Sequence, residues 1–93
     1  MTYRIVATAP TVYQKQSLSK FNLNEKRNMS GSFTGTLEFY TEEDAKAYLI
    51  NRAEMYYDEY EGQLDEHISD IERRGSLTID AVTASIIEIE VED

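Results

Sequence analysis

Apolar and polar residues alternate in three stretches of the chain, with the two-residue period of a strand that buries one face. The first stretch begins at Tyr3 and ends at Pro10, which has no amide hydrogen for a strand ladder. The second and most regular runs from Ser32 to Tyr40. These patterns predict two strands, each with one face against a core.

The third alternating stretch is the C-terminal one. Its apolar residues share one parity, and three glutamates occupy the other. The apolar set is Leu77, Ile79, Ala81, Ile87, Ile89 and Val91, and the glutamates are Glu88, Glu90 and Glu92. Because so long a stretch exceeds the usual strand, we expect a bend or bulge near residues 82–85.

Between the second and third stretches the apolar period lengthens to that of a helix. The apolar stripe consists of Ala45, Leu49, Ala53, Tyr56, Tyr60, Leu64, Ile68 and Ile71. Thr41 is placed to cap the helix start, and Arg73, Arg74 and Gly75 form a stop signal. An unbroken helix over 42–74 would be about 50 Å long, so we expect a kink or break near Gly62.

The segment from residue 11 to residue 31 is polar and uneven. Its pattern allows a short strand over residues 18–23 with a hairpin loop at 24–28, and it equally allows a mobile basic loop. The fold class predicted is therefore α+β: an antiparallel sheet of three or four strands with the broken helical segment 42–74 packed on one face. The length of 93 residues suits a single small domain over 1–93.

Charge is the most informative feature of the composition. The chain has 9 basic and 18 acidic residues, a net charge of −9. Residues 1–37 carry +4 and residues 38–93 carry −13. Such a field repels nucleic acid and anionic membranes and attracts basic protein surfaces, although solubility alone also explains it. With no apolar run long enough for a membrane span or a signal peptide, we expect a cytoplasmic protein.

Candidate catalytic and metal chemistry is sparse. The chain has no cysteine and only one histidine, His67, which excludes thiolate sites and any site that needs two imidazoles. The stretch 31–35 contains two glycines but lacks the ending of a phosphate loop, and is better explained as glycine in a strand that marks a bulge or a close backbone approach. We predict no catalytic residue, cofactor or metal site, and a protein that is not an enzyme.

Two surfaces remain as candidates for binding. If the helical register continued through Gly62, five acids would form one ridge facing away from the core: Glu54, Asp58, Glu61, Asp65 and Glu72. Eight acids would then follow each other at roughly 3.4 Å per charge along the axis, which is close to the phosphate spacing of a DNA strand. A solvated helix face is the alternative explanation.

The second surface lies beside the apolar stripe. It contains Tyr48, Arg52, Met55 and Glu59, and tyrosine, arginine and methionine are residue types enriched at interface centres. Packing against the sheet or against residues 11–31 would explain the same pattern. The predicted partner-binding residues are the five ridge acids, with Tyr48, Met55 and Tyr57 supplying apolar contact.

Three functional hypotheses follow. In the first, the acids stand in for phosphates and block a basic site on a larger partner, such as a nucleic-acid-binding protein. In size and charge the chain resembles small phage-encoded inhibitors of host defence, including DNA-mimic anti-restriction and anti-CRISPR proteins. In the second, the basic segment of one copy docks on the acidic helices of another, forming a homodimer. The third is a metal-dependent or carboxylate enzyme.

Overall fold

The N-terminal strand lies at the centre of a five-stranded antiparallel sheet in the computed structural model, which describes residues 2–57 and 62–89. The strands are β1 (Thr2–Ala9), β2 (Asn24–Arg27), β3 (Phe33–Phe39), β4 (Ser76–Ile79) and β5 (Val82–Ile89). The helices are α1 (Lys15–Ser19), α2 (Glu42–Tyr56) and α3 (Gln63–Arg74), and a 3-10 turn at Val12–Gln14 precedes α1. The order across the sheet is β2-β3-β1-β5-β4.

The α+β class and the antiparallel sheet are confirmed, but the prediction of three or four strands is wrong. The additional strands are short. β2 has four residues, all exposed, so it has no apolar alternation to reveal it. It pairs with β3 along the sheet edge, where Lys26 and Arg27 discourage pairing with another chain. The sequence pattern did not separate β4 from β5, because a turn of only two residues joins them.

That turn also overturns the expected bend near residues 82–85. Asp80 and Ala81 both have positive φ, 47° and 73°, as in a two-residue hairpin turn. Pairing of Ile79 with Val82 then changes the parity of the buried positions from odd to even. As a result Val82 and Ala84 are buried, whereas Ile87 lies on the opposite face and is exposed.

Substitution of Ala81 by glycine is expected to stabilise the protein by about 0.5–1 kcal/mol. Ala81 has a φ of 73°, where a Cβ is unfavourable and glycine is not, and its side chain is exposed. Urea unfolding followed by circular dichroism measures the change. Thr83→Gly on the adjacent strand is the control and should be destabilising, because glycine weakens a strand interior.

The long helical segment is broken as expected. α2 ends at Tyr56 and α3 begins at Gln63, with Gly62 at a φ of 73° between them. α3 runs back along α2, because Lys46 near the start of α2 donates to the carbonyl of Glu72 near the end of α3 (3.1 Å). The two helices thus form an antiparallel hairpin. The chain reverses its direction completely between them, whereas the sequence suggested a kink or break.

The expected helix ends are confirmed. The Asp44 amide donates to Thr41 Oγ1 (3.1 Å), which caps the start of α2. Gly75, with a φ of 66°, ends α3 by donating its amide to the carbonyl of Ile71. No helix among residues 2–57 and 62–89 combines the length and apolar character needed to cross a bilayer.

Residues 15–23 pack against the core and residues 24–27 form an exposed edge strand, so both expectations for the segment 11–31 need correction. Residues 15–19 form α1, and the strand lies at 24–27 where a loop was predicted. Leu18 and Phe21 are fully buried, and Leu23 is nearly so. Gly35 in β3 accommodates them, since a Cβ there would lie 3.0 Å from the Leu23 Cβ. The close approach at this glycine is made by the side chains of Leu18 and Leu23.

The core lies between the sheet and the helices. From the sheet it contains Ile5, Ala7, Ala9, Leu77, Ile79, Val82 and Ala84, and from the helices Ala45, Leu49, Ala53, Leu64 and Ile71. The predicted helical stripe is thus correct over most of the described residues. Tyr56 is the exception, because the reversal after it turns its ring to solvent, where it is 41% exposed.

Candidate protein-binding surface

The five acids of the predicted ridge do not lie along one helix. Glu54 is in the last turn of α2, while Asp65 and Glu72 are at opposite ends of α3. Asp58 and Glu61 lie outside the described residues. Since the helical register stops at Tyr56 and restarts at Gln63, the spacing of one charge per roughly 3.4 Å, which assumes a single helix axis, does not apply.

The helix reversal instead brings three acids to one end of the hairpin. Glu54 is in the last turn of α2, and Asp65 and Glu66 belong to the first turn of α3. The stretch of sequence 54–66 is here named the hairpin tip, and it has six acidic residues and no lysine or arginine: Glu54, Asp58, Glu59, Glu61, Asp65 and Glu66. Glu72 lies at the far end.

The acids described at the hairpin tip are exposed and have no cationic partner. Within residues 2–57 and 62–89, the ion pairs are Arg4–Glu38, Lys20–Asp80, Lys46–Glu42 and Arg73–Asp70. None includes Glu54, Asp65 or Glu66, and all three side chains are exposed. Their charge is therefore directed at solvent, and the first turn of α3 is an electrostatically favourable place for two of them.

Apolar surface lies beside these acids. Met55 is 65% exposed, and Tyr56 presents part of its ring. Lys20 and Arg52 each lie over the Tyr56 ring, at 5.4 and 5.6 Å from its centre. Lys20 is itself paired with Asp80 at 2.5 Å. Arg52 donates to the carbonyl of Lys20 and lies 3.3 Å from the Met55 sulfur. Neither cation forms an ion pair with Glu54, Asp65 or Glu66, so the described part of the tip combines exposed carboxylates with exposed apolar atoms of Met55 and Tyr56.

Tyr57 has a different environment from Met55. Its hydroxyl donates to the carbonyl of Thr78 (2.8 Å), and its ring stacks on His67 with the centroids 4.0 Å apart. Burial raises the pKa of the Tyr57 hydroxyl, and the nearby Asp80 carboxylate adds to the increase. These contacts attach the end of α2 to β4 and α3, so Tyr57 has a structural role in the isolated chain.

Tyr48 and Arg52 also make contacts within the chain. The Tyr48 hydroxyl lies 2.9 and 2.6 Å from the carbonyls of Phe21 and Asn22. The Arg52 guanidinium donates to the carbonyl of Lys20 through Nε at 2.7 Å and Nη2 at 2.5 Å. These carbonyls follow α1 and have no partner within that helix. Packing against residues 11–31, one explanation of this pattern, is what the structure shows for both side chains.

The concave surfaces are open rather than enclosed. A depression of about 660 Å³ lies beside the start of α2, between Tyr3, Tyr40 and Lys46. In the part of the chain that is described, no three histidine or carboxylate side chains are grouped as metal ligands would be.

Comparison with known proteins adds no assignment, since the chain has no significant match to a protein-family model, a curated protein sequence or a solved structure. The observations define a small α+β protein with an acidic helical hairpin. Sequence reasoning missed the grouping of Glu66 with Glu54, although the absence of lysine and arginine over 54–66 was a readable signal. It missed the exposed position of Tyr56 because the helix reversal is not encoded in the apolar period.

Proposed function

We propose that the protein is a non-enzymatic binding protein whose hairpin tip occupies a basic site on a larger protein partner. The observation that carries the proposal is the density of acids at the tip, where residues 54–66 include six acidic residues and no lysine or arginine. Among them, Glu54, Asp65 and Glu66 are exposed and have no ion pair within the described residues. Unpaired carboxylates can exchange solvent for the lysines and arginines of a partner.

The chemistry of the tip suits a partner site that binds nucleic acid. Such sites use lysine and arginine to bind phosphates, and carboxylates can form the same charge-assisted hydrogen bonds with those side chains. The net charge of −9 steers a basic partner toward the protein at long range. Met55, which is 65% exposed, adds apolar area close to the charges. This is the mode of action of DNA-mimic inhibitors, and it needs no direct contact with nucleic acid.

We propose a smaller partner-binding set than the sequence pattern predicts. We assign contact with the partner to Glu54, Met55 and Asp65 and add Glu66, which shares the first turn of α3. Asp58 and Glu61 belong to the same stretch of sequence and remain part of the proposal. Glu72 lies at the other end of the hairpin, and Tyr48 and Tyr57 use their hydroxyls within the chain. In this proposal Glu72 contributes to binding through overall charge, and Tyr48 and Tyr57 contribute by stabilising the fold.

Three tip acids are the direct target for mutation. The variant E54Q/D65N/E66Q should lose capture of a DNA-binding protein from host lysate, while the unmodified chain captures it and releases it to duplex DNA or high salt. The matched control is E25Q/E43Q/E88Q, which removes the same three charges from exposed sites elsewhere and should retain capture. Equal loss of capture by the two variants would show that overall charge, and not the tip, is responsible. Capture that DNA does not displace would contradict the basic-site proposal.

A further inference from the structure

The face of the sheet opposite the helices has no covering layer among the described residues. Ile5, Ala7 and Ala9 of β1 point into the core, so the alternate residues of β1 and their register partners form the other face, here named the open face. It consists of Thr2, Arg4, Val6 and Thr8; Asn24 and Lys26; Thr34, Thr36 and Glu38; Ser76 and Thr78; and Thr83, Ser85, Ile87 and Ile89.

The open face is nearly neutral in a strongly acidic protein. Its charged residues are Arg4, Glu38 and Lys26, and the first two form an ion pair at 2.6 Å. Two copies of a chain with a net charge of −9 repel each other over most orientations. That repulsion is smallest when the open faces meet, because the acidic helices then lie on the two outer sides. The charge distribution therefore favours a second copy as the occupant of this face.

The chemistry of the open face is also self-complementary. Eight of its residues are threonine or serine, and a hydroxyl can both donate and accept a hydrogen bond. A surface of hydroxyls can therefore pair with an identical surface, as a two-fold interface requires. Ile87, which is 44% exposed, and the partly exposed Val6 and Ile89 supply an apolar patch. β-Branched residues, which form most of this face, are typical of a sheet surface that packs on another layer.

The size of the open face is sufficient for a specific dimer. The strands have eight, four, seven, four and eight residues, so at about 3.3 Å per residue and about 4.8 Å between strands they cover roughly 500 Å². Two such faces would bury about 1,000 Å², which reaches the minimum area expected of a biological interface. The packing would be that of two sheets face to face, about 10 Å apart.

We propose that two copies of the chain pack open face to open face in a two-fold symmetric dimer. The hairpin tips stay accessible in this arrangement, because the helices lie on the other side of the sheet. The dimer is independent of the proposed function and differs from a dimer in which the basic segment of one copy meets the acidic helices of another. The effect of salt distinguishes the two arrangements. Screening weakens a dimer held by opposite charges, and it strengthens a dimer of like-charged chains that meet at their neutral faces.

Sedimentation equilibrium at micromolar concentration, in low and high salt, tests the proposal. We expect twice the chain mass of 10.7 kDa, with tighter association in high salt. Ile87→Glu should weaken association at least about a hundredfold, because it would bury two carboxylates in the interface, and Arg4, the cross-strand neighbour of residue 87, is already paired with Glu38. The control, Asn51→Glu, adds the same charge on the exposed side of α2 and should remain dimeric. Thr36→Glu on β3 is a second disrupting variant, and thermal melts verify that each variant folds.

A monomer at all concentrations and both salts would overturn the proposal. So would a dimer that high salt dissociates, or one that Ile87→Glu and Thr36→Glu leave intact. Failure of this test leaves the hairpin-tip proposal unchanged, because capture by the tip does not require two copies.

Discussion

Replacement of Phe21 by alanine is expected to lower the free energy of unfolding by about 3–5 kcal/mol, the usual cost of removing a buried phenyl ring. Phe21 is 0% exposed and follows α1 in the segment between β1 and β2. Its loss leaves a cavity beside Leu18, which a chain with a total stability of about 5–15 kcal/mol tolerates poorly. Urea unfolding followed by circular dichroism measures the change.

The control for Phe21→Ala is Tyr13→Ala. Tyr13 lies in the same segment but is 90% exposed, so its removal should change the stability by less than about 0.5 kcal/mol. The pair separates a segment that is part of the core from a mobile basic loop, because such a loop would tolerate both substitutions equally. Similar small changes for the two variants would contradict the position assigned to residues 15–23.

Replacement of Arg52 by alanine should cost about 2–3 kcal/mol. Its guanidinium donates through two nitrogens to the carbonyl of Lys20, and hydrogen bonds from charged groups contribute more than neutral ones. The carbonyl lies at the end of α1 and would lose its partner in the variant. The same guanidinium lies over the Tyr56 ring, so part of the apolar packing would also be lost.

Two comparisons make the Arg52 result specific. Arg52→Lys keeps the charge but lacks the planar pair of donors, so it should recover less than half of the loss. Arg73→Ala, on α3, removes the exposed ion pair with Asp70 and should cost less than about 1 kcal/mol. If Arg52→Ala and Arg73→Ala had equal effects in thermal and urea unfolding, the tether between α2 and the α1 segment would carry no particular stability.

The sequence predicted the elements whose signals are local. The alternation in β1 and β3, the cap at Thr41 and the stop at Gly75 depend on residues within one element, and each lies where it was expected. The buried stripe of α2 and α3 was also readable, because burial of one helix side imposes its own period. These features were sufficient to predict a helical layer packed on one face of the sheet.

What the sequence could not provide depends on contacts between elements. β2 is a strand because it pairs with β3, and its four exposed residues have no pattern of their own. The turn at Asp80 and Ala81 lacks the glycine or asparagine that usually identifies a hairpin, so the change of parity and the open face went unnoticed. The reversal between α2 and α3 is tertiary, and it converts the expected acidic ridge into an acidic tip.

The two surfaces proposed for binding lie on opposite sides of the sheet and differ in charge. The hairpin tip carries acids and exposed apolar atoms, while the open face is nearly neutral and rich in hydroxyls. A dimer through the open face would present two tips, directed away from each other. Such an assembly could bind two partners, or two sites of a symmetric partner, with a gain in avidity where the spacing matches.

The central claim is that the hairpin tip binds a basic protein site. Its most direct test is the affinity of the protein for the captured partner, measured by isothermal titration after the partner has been purified. We expect E54Q/D65N/E66Q to lose about 2 kcal/mol, roughly thirtyfold in Kd, and the dependence of Kd on salt to become shallower. E25Q/E43Q/E88Q, with the same net charge, should remain within about threefold of the unmodified chain. Equal losses for the two variants, or no loss for the tip variant, would contradict the claim.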